Sequence, residues 1–222
     1  MTFADRILSF QKKMKIEVKL PKGVEVMKPY GEKMAAQLCE KFYTKFYSDS
    51  EPRILILGIN PGRFGGGITG IPFTDPVKLE ILGIDNALPK KRELSADFIY
   101  QMIDTCGGVK KFYQRFYISA VSPLGFVKDE KNLNYYDVKG LPETLEPFIV
   151  KSLKEQLSWG IDRKICYSLG EGENFKYINK LNSKFQFFDE VVGLPHPRFI
   201  MQYRRKRIEE FVTLYQKKLM VD

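Results

Sequence analysis

Four short apolar runs, each ending close to a glycine or a proline, most restrict what this chain can fold into. They are ILILGI (54–59), FYISAV (116–121), KICYSLG (164–170) and FDEVVGL (188–194). A continuous apolar run of this length is typical of a strand that is buried on both faces, as in a parallel sheet. We therefore predict four strands with few exposed side chains.

Stretches with helical spacing of apolar residues surround these runs. They lie at 3–14, at 31–47, around 96–103, and at 144–159, 173–181 and 200–219. Strands that alternate with helices predict an α/β fold, here three α/β/α layers around a central, mostly parallel four-stranded sheet. We expect one domain over residues 1–222, with residues 1–50 as a helical N-terminal extension packed on it. In such sheets, ligands bind beyond the carboxyl ends of the strands.

The charge balance favours a polyanionic partner. The 222 residues include 36 Lys and Arg against 27 Asp and Glu, a net charge of +9. Nucleic acid is the first candidate and a membrane surface the second. Since no apolar run approaches the ~20 residues of a membrane span and the N-terminus has no signal-like apolar stretch, we expect a protein of the cytoplasm or of a nucleus, without a membrane partner.

The cysteines argue against a metal centre. Cys39, Cys106 and Cys166 lie far apart and show no Cys-x-x-Cys spacing. This pattern disfavours zinc, an iron–sulfur cluster and a disulfide framework. We expect reduced thiols and no metal.

A glycine-rich loop follows the first apolar run, with six glycines in residues 58–70. Gly65, Gly67 and Gly70 fit the dinucleotide pattern G-x-G-x-x-G, but that pattern binds pyrophosphate only where it opens a helix. We predict that the following IPFTDP does not begin a helix, and no Gly-Lys-[Ser/Thr] follows for a P-loop. A nucleotide cofactor is therefore disfavoured. A structural turn and a loop whose backbone approaches a bound group both remain.

His196 is the only histidine in the chain, and it lies between Pro195 and Pro197 directly after the fourth apolar run. Two flanking prolines restrict the backbone on both sides, which suits a side chain that must be oriented. A functional role is favoured over a structural one.

Two further stretches carry charge or aromatic rings. Tyr203, Arg204, Arg205 and Lys206 lie early in the last predicted helix. Cations at a helix N-terminus are unfavourable with the helix dipole unless a phosphate lies nearby, so we predict a DNA-facing patch; a solvated helix face is the alternative. For residues 131–137 we predict a loop, in which base stacking on Tyr135 or Tyr136 is less favoured than surface packing.

Two motifs resemble those of the uracil-DNA glycosylase superfamily, and those of its single-strand-selective monofunctional branch in particular. That branch has G-M-N-P-G-P-F-G followed by Q-T-G-V-P-F, and this chain has G-I-N-P-G-R-F-G followed by I-T-G-I-P-F. The second motif, H-P-S-P-R-N, corresponds here to G-L-P-H-P-R-F. The likeness covers roughly residues 50–220. The GINPG motif also resembles the mismatch-specific uracil/thymine glycosylases, but these lack the histidine of the second motif.

The resemblance assigns roles by position. It implies that Asn60 holds the hydrolytic water, that Phe73 stacks on the flipped base and that Gly62 lies beside the pocket. It also implies that His196 donates to uracil O2. The base-reading Asn of the family is replaced here by Ala120, preceded by Ser119.

The second motif departs from the family as well. Arg198 and Phe199 replace its Ser and Pro, in a segment that the family inserts into the duplex. Either side chain can fill the gap left by an extruded base.

The implied function is base excision repair. The resemblance predicts a hydrolase, a monofunctional uracil-DNA glycosylase that flips uracil out of DNA and leaves an abasic site. We expect a monomer that binds DNA and needs neither cofactor nor metal. Because of Ala120, two alternatives stay open. One is a catalytically weak relative that binds DNA or abasic sites, and the other is a glycosylase for a different damaged base.

Overall fold

The computed structural model describes residues 1–220, and its central sheet has the four predicted strands. They are β2 (Arg53–Gly58), β3 (Phe116–Ala120), β6 (Ile161–Leu169) and β7 (Glu190–Leu194), after a short β1 (Glu25–Met27). The sheet order is β3-β2-β6-β7, and every pairing is parallel. The predicted fold class is confirmed, and the sheet is parallel throughout.

Helices cover both faces of this sheet. They are α1 (Phe3–Lys13), α2 (Lys33–Phe46), α3 (Gly66–Thr69), α4 (Pro76–Ile81), α5 (Leu94–Thr105), α6 (Gly108–Arg115), α7 (Leu141–Leu157), α8 (Glu173–Phe185), α9 (Pro197–Tyr203) and α10 (Ile208–Leu219). Ser168 contacts Asn174 of α8, whereas its neighbour Tyr167 donates to the Lys218 carbonyl of α10. Because successive strand residues point to opposite faces, α8 and α10 lie on opposite sides of the sheet, which gives three layers.

A second, antiparallel sheet has the order β1-β4-β5, with β4 at Gly125–Lys128 and β5 at Lys131–Leu133. The prediction of a loop over residues 131–137 is therefore wrong for the first three residues. Asp129 and Glu130 connect the two strands, and both have positive φ, 48° and 58°. Asn-Gly or Asp-Gly usually marks such a two-residue turn, and Asp-Glu gives no comparable signal.

The C-terminal helix is interrupted at the basic run. Instead of one helix over 200–219, α9 ends at Tyr203, a 3-10 turn spans Arg205–Arg207, and α10 begins at Ile208. The predicted position of the basic run early in a long helix is therefore wrong. Arg204 follows the C-terminus of α9, where a positive charge is favourable with the helix dipole.

The glycine-rich loop also differs in detail from the prediction. Gly70 has a φ of 75° and ends the four-residue α3, so the last glycine of the dinucleotide pattern ends a helix instead of opening one. The segment IPFTDP does begin a helix, contrary to expectation. The Asp75 carboxylate accepts a hydrogen bond of 2.8 Å from the Lys78 backbone N–H and caps α4.

Residues 1–50 cover the open edge of the central sheet at β3. The Tyr47 hydroxyl donates to the Phe116 carbonyl at 3.2 Å, and the Phe3 ring packs edge-on against Tyr117 at 5.3 Å between centroids. An uncovered edge strand would present unpaired backbone groups to other chains. The N-terminal helices thus complete the core, and no helix in residues 1–220 has the length and apolarity of a membrane span.

Arg53, the first residue of β2, is the largest fully buried side chain and is only 1% exposed. Its Nε donates to the Tyr113 carbonyl at 2.8 Å, and its Nη2 donates to both carboxylate oxygens of Asp49 at 2.8 and 3.0 Å. Its guanidinium also lies over the rings of Phe3 and Tyr47. A buried charge of this kind is tolerated only when its donors are bonded.

We predict that Arg53→Met lowers the free energy of unfolding by about 3 kcal/mol, because it leaves buried acceptors without their donor. Urea denaturation followed by circular dichroism measures this loss. The matched control is Arg207→Met, which removes an exposed ion pair with Glu210 and should change little. Equal midpoints for the two variants would contradict the role given to Arg53.

Candidate active site

The sequence-predicted site residues meet at the carboxyl ends of three strands. Asn60 follows β2, Ser119 and Ala120 end β3, and His196 follows β7. Asn60, Gly62, Phe73, Ser119 and Ala120 line one pocket. His196 lies in an adjoining groove, with its ring 6.3 Å from that of Phe73.

The Asn60 amide is fixed by the backbone of the hairpin that ends in β5. Its Nδ2 donates to the Leu133 carbonyl at 3.0 Å and to the Pro61 carbonyl at 3.2 Å. Its Oδ1 accepts from the Tyr135 backbone N–H at 2.9 Å. Both amide hydrogens are therefore used, and one lone pair of Oδ1 remains. An oriented acceptor of this kind can bind one hydrogen of a water molecule.

Tyr135 connects Asn60 to the His196 side of the site. Its ring is fully buried, so the expectation of surface packing is wrong for this residue. Its hydroxyl donates to Asn174 Oδ1 at 3.0 Å, and the Asn174 amide donates to Ser168 Oγ at 3.3 Å. Gly170, two residues beyond Ser168, packs against the His196 ring. Sequence reasoning missed this network because nothing in residues 131–137 marks a buried tyrosine.

Phe73 forms one wall of the pocket, and its backbone has a φ of 52°. A bulky residue rarely adopts such a conformation, and strained residues are concentrated at functional sites. The ring lies directly over Gly58. A β carbon added at that glycine would lie 3.2 Å from the ring, closer than an ordinary contact. Glycine at the end of β2 therefore lets this ring approach the strand.

The glycines that follow Asn60 let the loop pack against itself. A β carbon at Gly67 would lie 1.9 Å from the Gly62 carbonyl oxygen, a contact that only glycine avoids. Asn132 of β5 holds the same loop, since its side-chain oxygen accepts from the Arg63 backbone N–H at 2.8 Å. The loop that carries Asn60 is thus compact and tied to the second sheet.

His196 is held as a neutral donor. Its Nδ1 accepts from the Arg198 backbone N–H at 3.1 Å, and it thereby caps α9. Burial, with a smaller contribution from the charge of Arg198, lowers the pKa of His196 to about 4. In the neutral ring with Nδ1 as acceptor, the hydrogen is on Nε2. The histidine can therefore donate from Nε2 near neutral pH.

The end of β3 supplies no side-chain amide to the pocket. Ser119 lies beside the Tyr117 hydroxyl, and Ala120 carries no polar group. Ser122, a further hydroxyl in this stretch, donates to the Leu124 carbonyl at 2.8 Å and is buried.

Glu93 is a pocket residue that the sequence did not indicate. Burial, and then the nearby Asp75, raise the pKa of its carboxyl group to about 7, against the opposing charge of Arg198. Its Oε2 packs against Gly65 and has no hydrogen-bond partner among residues 1–220. No signal in the sequence separates this glutamate from a surface residue.

Exposed aromatic and basic side chains lie in the two grooves beside the pocket and in the basic run that follows α9. Phe199 is 43% exposed and lies beneath the Arg204 guanidinium, and Tyr203 is 66% exposed. In the groove that also contains Gly62 and Glu93, Phe64 of the glycine loop is 50% exposed and contacts Arg63. Arg198, Arg205 and Lys206 are exposed as well. Sequence reasoning singled out all of these except Phe64 and Arg63.

No group of three or more histidine, cysteine, aspartate or glutamate side chains within residues 1–220 has the arrangement of a metal site.

Comparison with known proteins identifies a matching family and similar solved structures. The family model described as the uracil DNA glycosylase superfamily matches residues 44–219. The crystal structure of wild-type SMUG2 from Pedobacter heparinus is similar, with a TM-score of 0.96 and 42% sequence identity over 98% of this chain and 97% of that one. No curated protein matches the chain.

We predict that His196 does not titrate near its ordinary pKa of 6.5, because its environment lowers the pKa to about 4. As the only histidine in the chain, it gives imidazole NMR signals that need no assignment by mutation. Their chemical shifts should stay constant from about pH 8 to about pH 5. The unfolded chain binds this proton at higher pH, so stability should fall as pH drops from 6.5 towards 4.

The unfolded protein in urea is the control for this titration, and there the same signals should shift around the ordinary value. A midpoint close to 6.5 in the folded protein would contradict a neutral His196 donor.

Proposed function

The chain belongs to the uracil DNA glycosylase superfamily, and from that membership we propose that it hydrolyses the N-glycosidic bond of uracil in DNA and leaves an abasic site. The superfamily match and the SMUG2-like structure make it a DNA glycosylase whose partner is DNA. Uracil as the base, and the absence of strand cleavage, belong to the proposal. We also propose that the enzyme acts as a monomer.

One observation carries the choice of reaction: an oriented acceptor and a neutral donor both lie close to Phe73, since Asn60 lines the same pocket and the His196 ring is 6.3 Å from the Phe73 ring. Asn60 retains one acceptor lone pair, and His196 presents Nε2–H. Cleavage of a glycosidic bond passes through a sugar with oxocarbenium character, while the leaving base gains negative charge. The acceptor of Asn60 can hold a water molecule beside the positively charged sugar, and the donor of His196 can stabilise the negatively charged base.

We assign Asn60 to the attacking water. An amide does not titrate in the useful range, so Asn60 acts by position and not as a general base. Its free Oδ1 lone pair can hold one water hydrogen and turn the water oxygen towards the sugar carbon, which is catalysis by proximity.

We assign His196 to the leaving uracil. A neutral Nε2–H donor close to a uracil carbonyl oxygen stabilises the negative charge that develops as the bond breaks. The same principle, a neutral imidazole as electrophile, operates in other enzymes. Backbone N–H groups of the glycine loop, Gly62 among them, can add to this stabilisation.

Binding of the base requires extrusion from the strand. Phe73 offers a ring face for stacking, and Arg198 or Phe199 can occupy the space that the base leaves. Phe199, Tyr203 and Phe64 are exposed rings next to cations, a combination that suits bases stacked along a single strand.

A second candidate function follows from Ala120. Because the end of β3 carries no amide, a different deaminated base such as hypoxanthine or xanthine is the alternative substrate. A weak enzyme that mainly binds abasic DNA is the other alternative. A substrate panel separates these functions.

We predict that the protein releases uracil from single-stranded or duplex oligonucleotides, detected as strand cleavage after alkaline treatment. Cleavage without alkali would contradict the monofunctional assignment. Absence of cleavage on uracil, hypoxanthine and xanthine substrates would refute the assignment of glycosylase activity.

Asn60→Ala and His196→Ala should each lower the single-turnover rate about a hundredfold or more, the usual effect of removing one such group. Their circular dichroism spectra should match that of the wild type. A rate within a few-fold of wild type in either variant would remove that residue from the mechanism.

The basic run gives a prediction about salt. Arg205 and Lys206 are exposed, and each phosphate contact contributes about 0.7 (single strand) to 0.9 (duplex) to the salt dependence of binding. Replacing both residues by alanine should therefore reduce the slope of log K against log salt by about 1.5. Fluorescence anisotropy with labelled DNA measures it.

The double variant Lys110→Ala/Lys111→Ala is the matched control. Both lysines lie on α6, which leads into the amino end of β3, and the site lies at the opposite, carboxyl ends of the strands. An unchanged slope in the Arg205 and Lys206 double variant would show that this run does not contact phosphates.

A further inference from the structure

We propose that Gln11 of the N-terminal helix hydrogen-bonds the polar edge of the extruded base and so contributes to base recognition. This inference rests on the proposed function and assigns one of its specificity determinants to residues 1–50, for which the family motifs indicate no role.

Gln11 lies in the same pocket as the other candidate residues. It is on α1, is only 6% exposed, and lines the pocket together with Asn60, Phe73 and Ser119. The helix reaches the pocket because it packs beside β3, whose carboxyl end is the pocket wall. Gln11 therefore borders the cavity in which the base would lie.

The amide of Gln11 has hydrogen-bonding capacity that the protein does not use. Its contact is with the Cys39 thiol, and within residues 1–220 it forms no side-chain hydrogen bond to nitrogen or oxygen. Burial raises the pKa of Cys39 to about 12, so the thiol is neutral and a weak hydrogen-bond partner. Gln11 is largely enclosed by the pocket, so a bound ligand would supply the partners that the protein does not.

Apart from the Glu93 carboxyl group, whose Oε2 packs against Gly65, the other polar groups in the pocket fit a base edge less well. Asn60 has both its amide hydrogens bonded to carbonyls, and the Tyr30 hydroxyl donates to the Pro123 carbonyl at 3.2 Å. Tyr43 and Ser119 each bring one hydroxyl group. The edge of uracil presents an N–H group between two carbonyl oxygens. The amide of Gln11 has a donor and an acceptor side by side, which match two neighbouring groups of that edge.

The test compares Gln11→Leu with the wild type in two binding measurements. Leucine keeps most of the side-chain volume and removes both polar groups. We expect the affinity for free uracil, measured by saturation-transfer NMR, to fall about tenfold, the effect of losing a hydrogen bond of ordinary strength. The affinity for abasic-site DNA, measured by anisotropy, should stay unchanged, because that ligand has no base to recognise.

Gln156→Leu is the matched control. Gln156 is a buried glutamine of α7 outside the pocket, and its replacement should leave both affinities at the wild-type value. A parallel loss of uracil and abasic-DNA binding in Gln11→Leu would indicate a general structural effect and overturn the proposal. So would unchanged uracil binding, or a wild type that does not bind free uracil. The excision assay on wild type judges the proposed function separately.

Discussion

The hydrogen bonds between the Asn60 amide and the backbone of residues 133–135 are the interaction on which the geometry of the site depends. They join the carboxyl end of β2, in the parallel sheet, to the end of β5 in the antiparallel sheet. Through Tyr135 and Asn174 the same contact continues to the end of β6, beside His196. The orientation of one side chain is thus fixed by both sheets, and preorganisation of this kind is what positional catalysis needs.

The first fifty residues contribute to the geometry of the site through direct contacts. The helices α1 and α2 cover the edge of β3 and bury its aromatic side chains, and the same helices supply the inner wall of the pocket. Arg53 lies where these helices meet the start of β2. Removing residues 1–50 would therefore both expose the edge of the sheet at β3 and open the pocket. A contribution of Gln11 to base recognition is consistent with that position.

The features predicted from the sequence are those encoded locally. The four strands appear as apolar runs, and parallel topology then brings Asn60, Ala120 and His196 to one edge of the sheet. Contacts between distant segments could not be predicted. The turn at Asp129 and Glu130 lacks the usual residues, Tyr135 becomes buried only through tertiary packing, and Glu93 lies in the pocket because Gly65 leaves room for its carboxyl group. The break at Arg204 likewise interrupts a continuous helical pattern.

The central claim is that an extruded uracil lies on Phe73 between Asn60 and His196. A crystal structure of the Asn60→Ala variant bound to a uracil-containing single-stranded oligonucleotide tests it most directly, because the variant should retain the uncleaved base. The account predicts the uracil ring stacked on Phe73, with one carbonyl oxygen within hydrogen-bond distance of His196 Nε2, at about 3 Å. A uracil that remains stacked in the strand, or that enters the protein away from Phe73, would contradict the account.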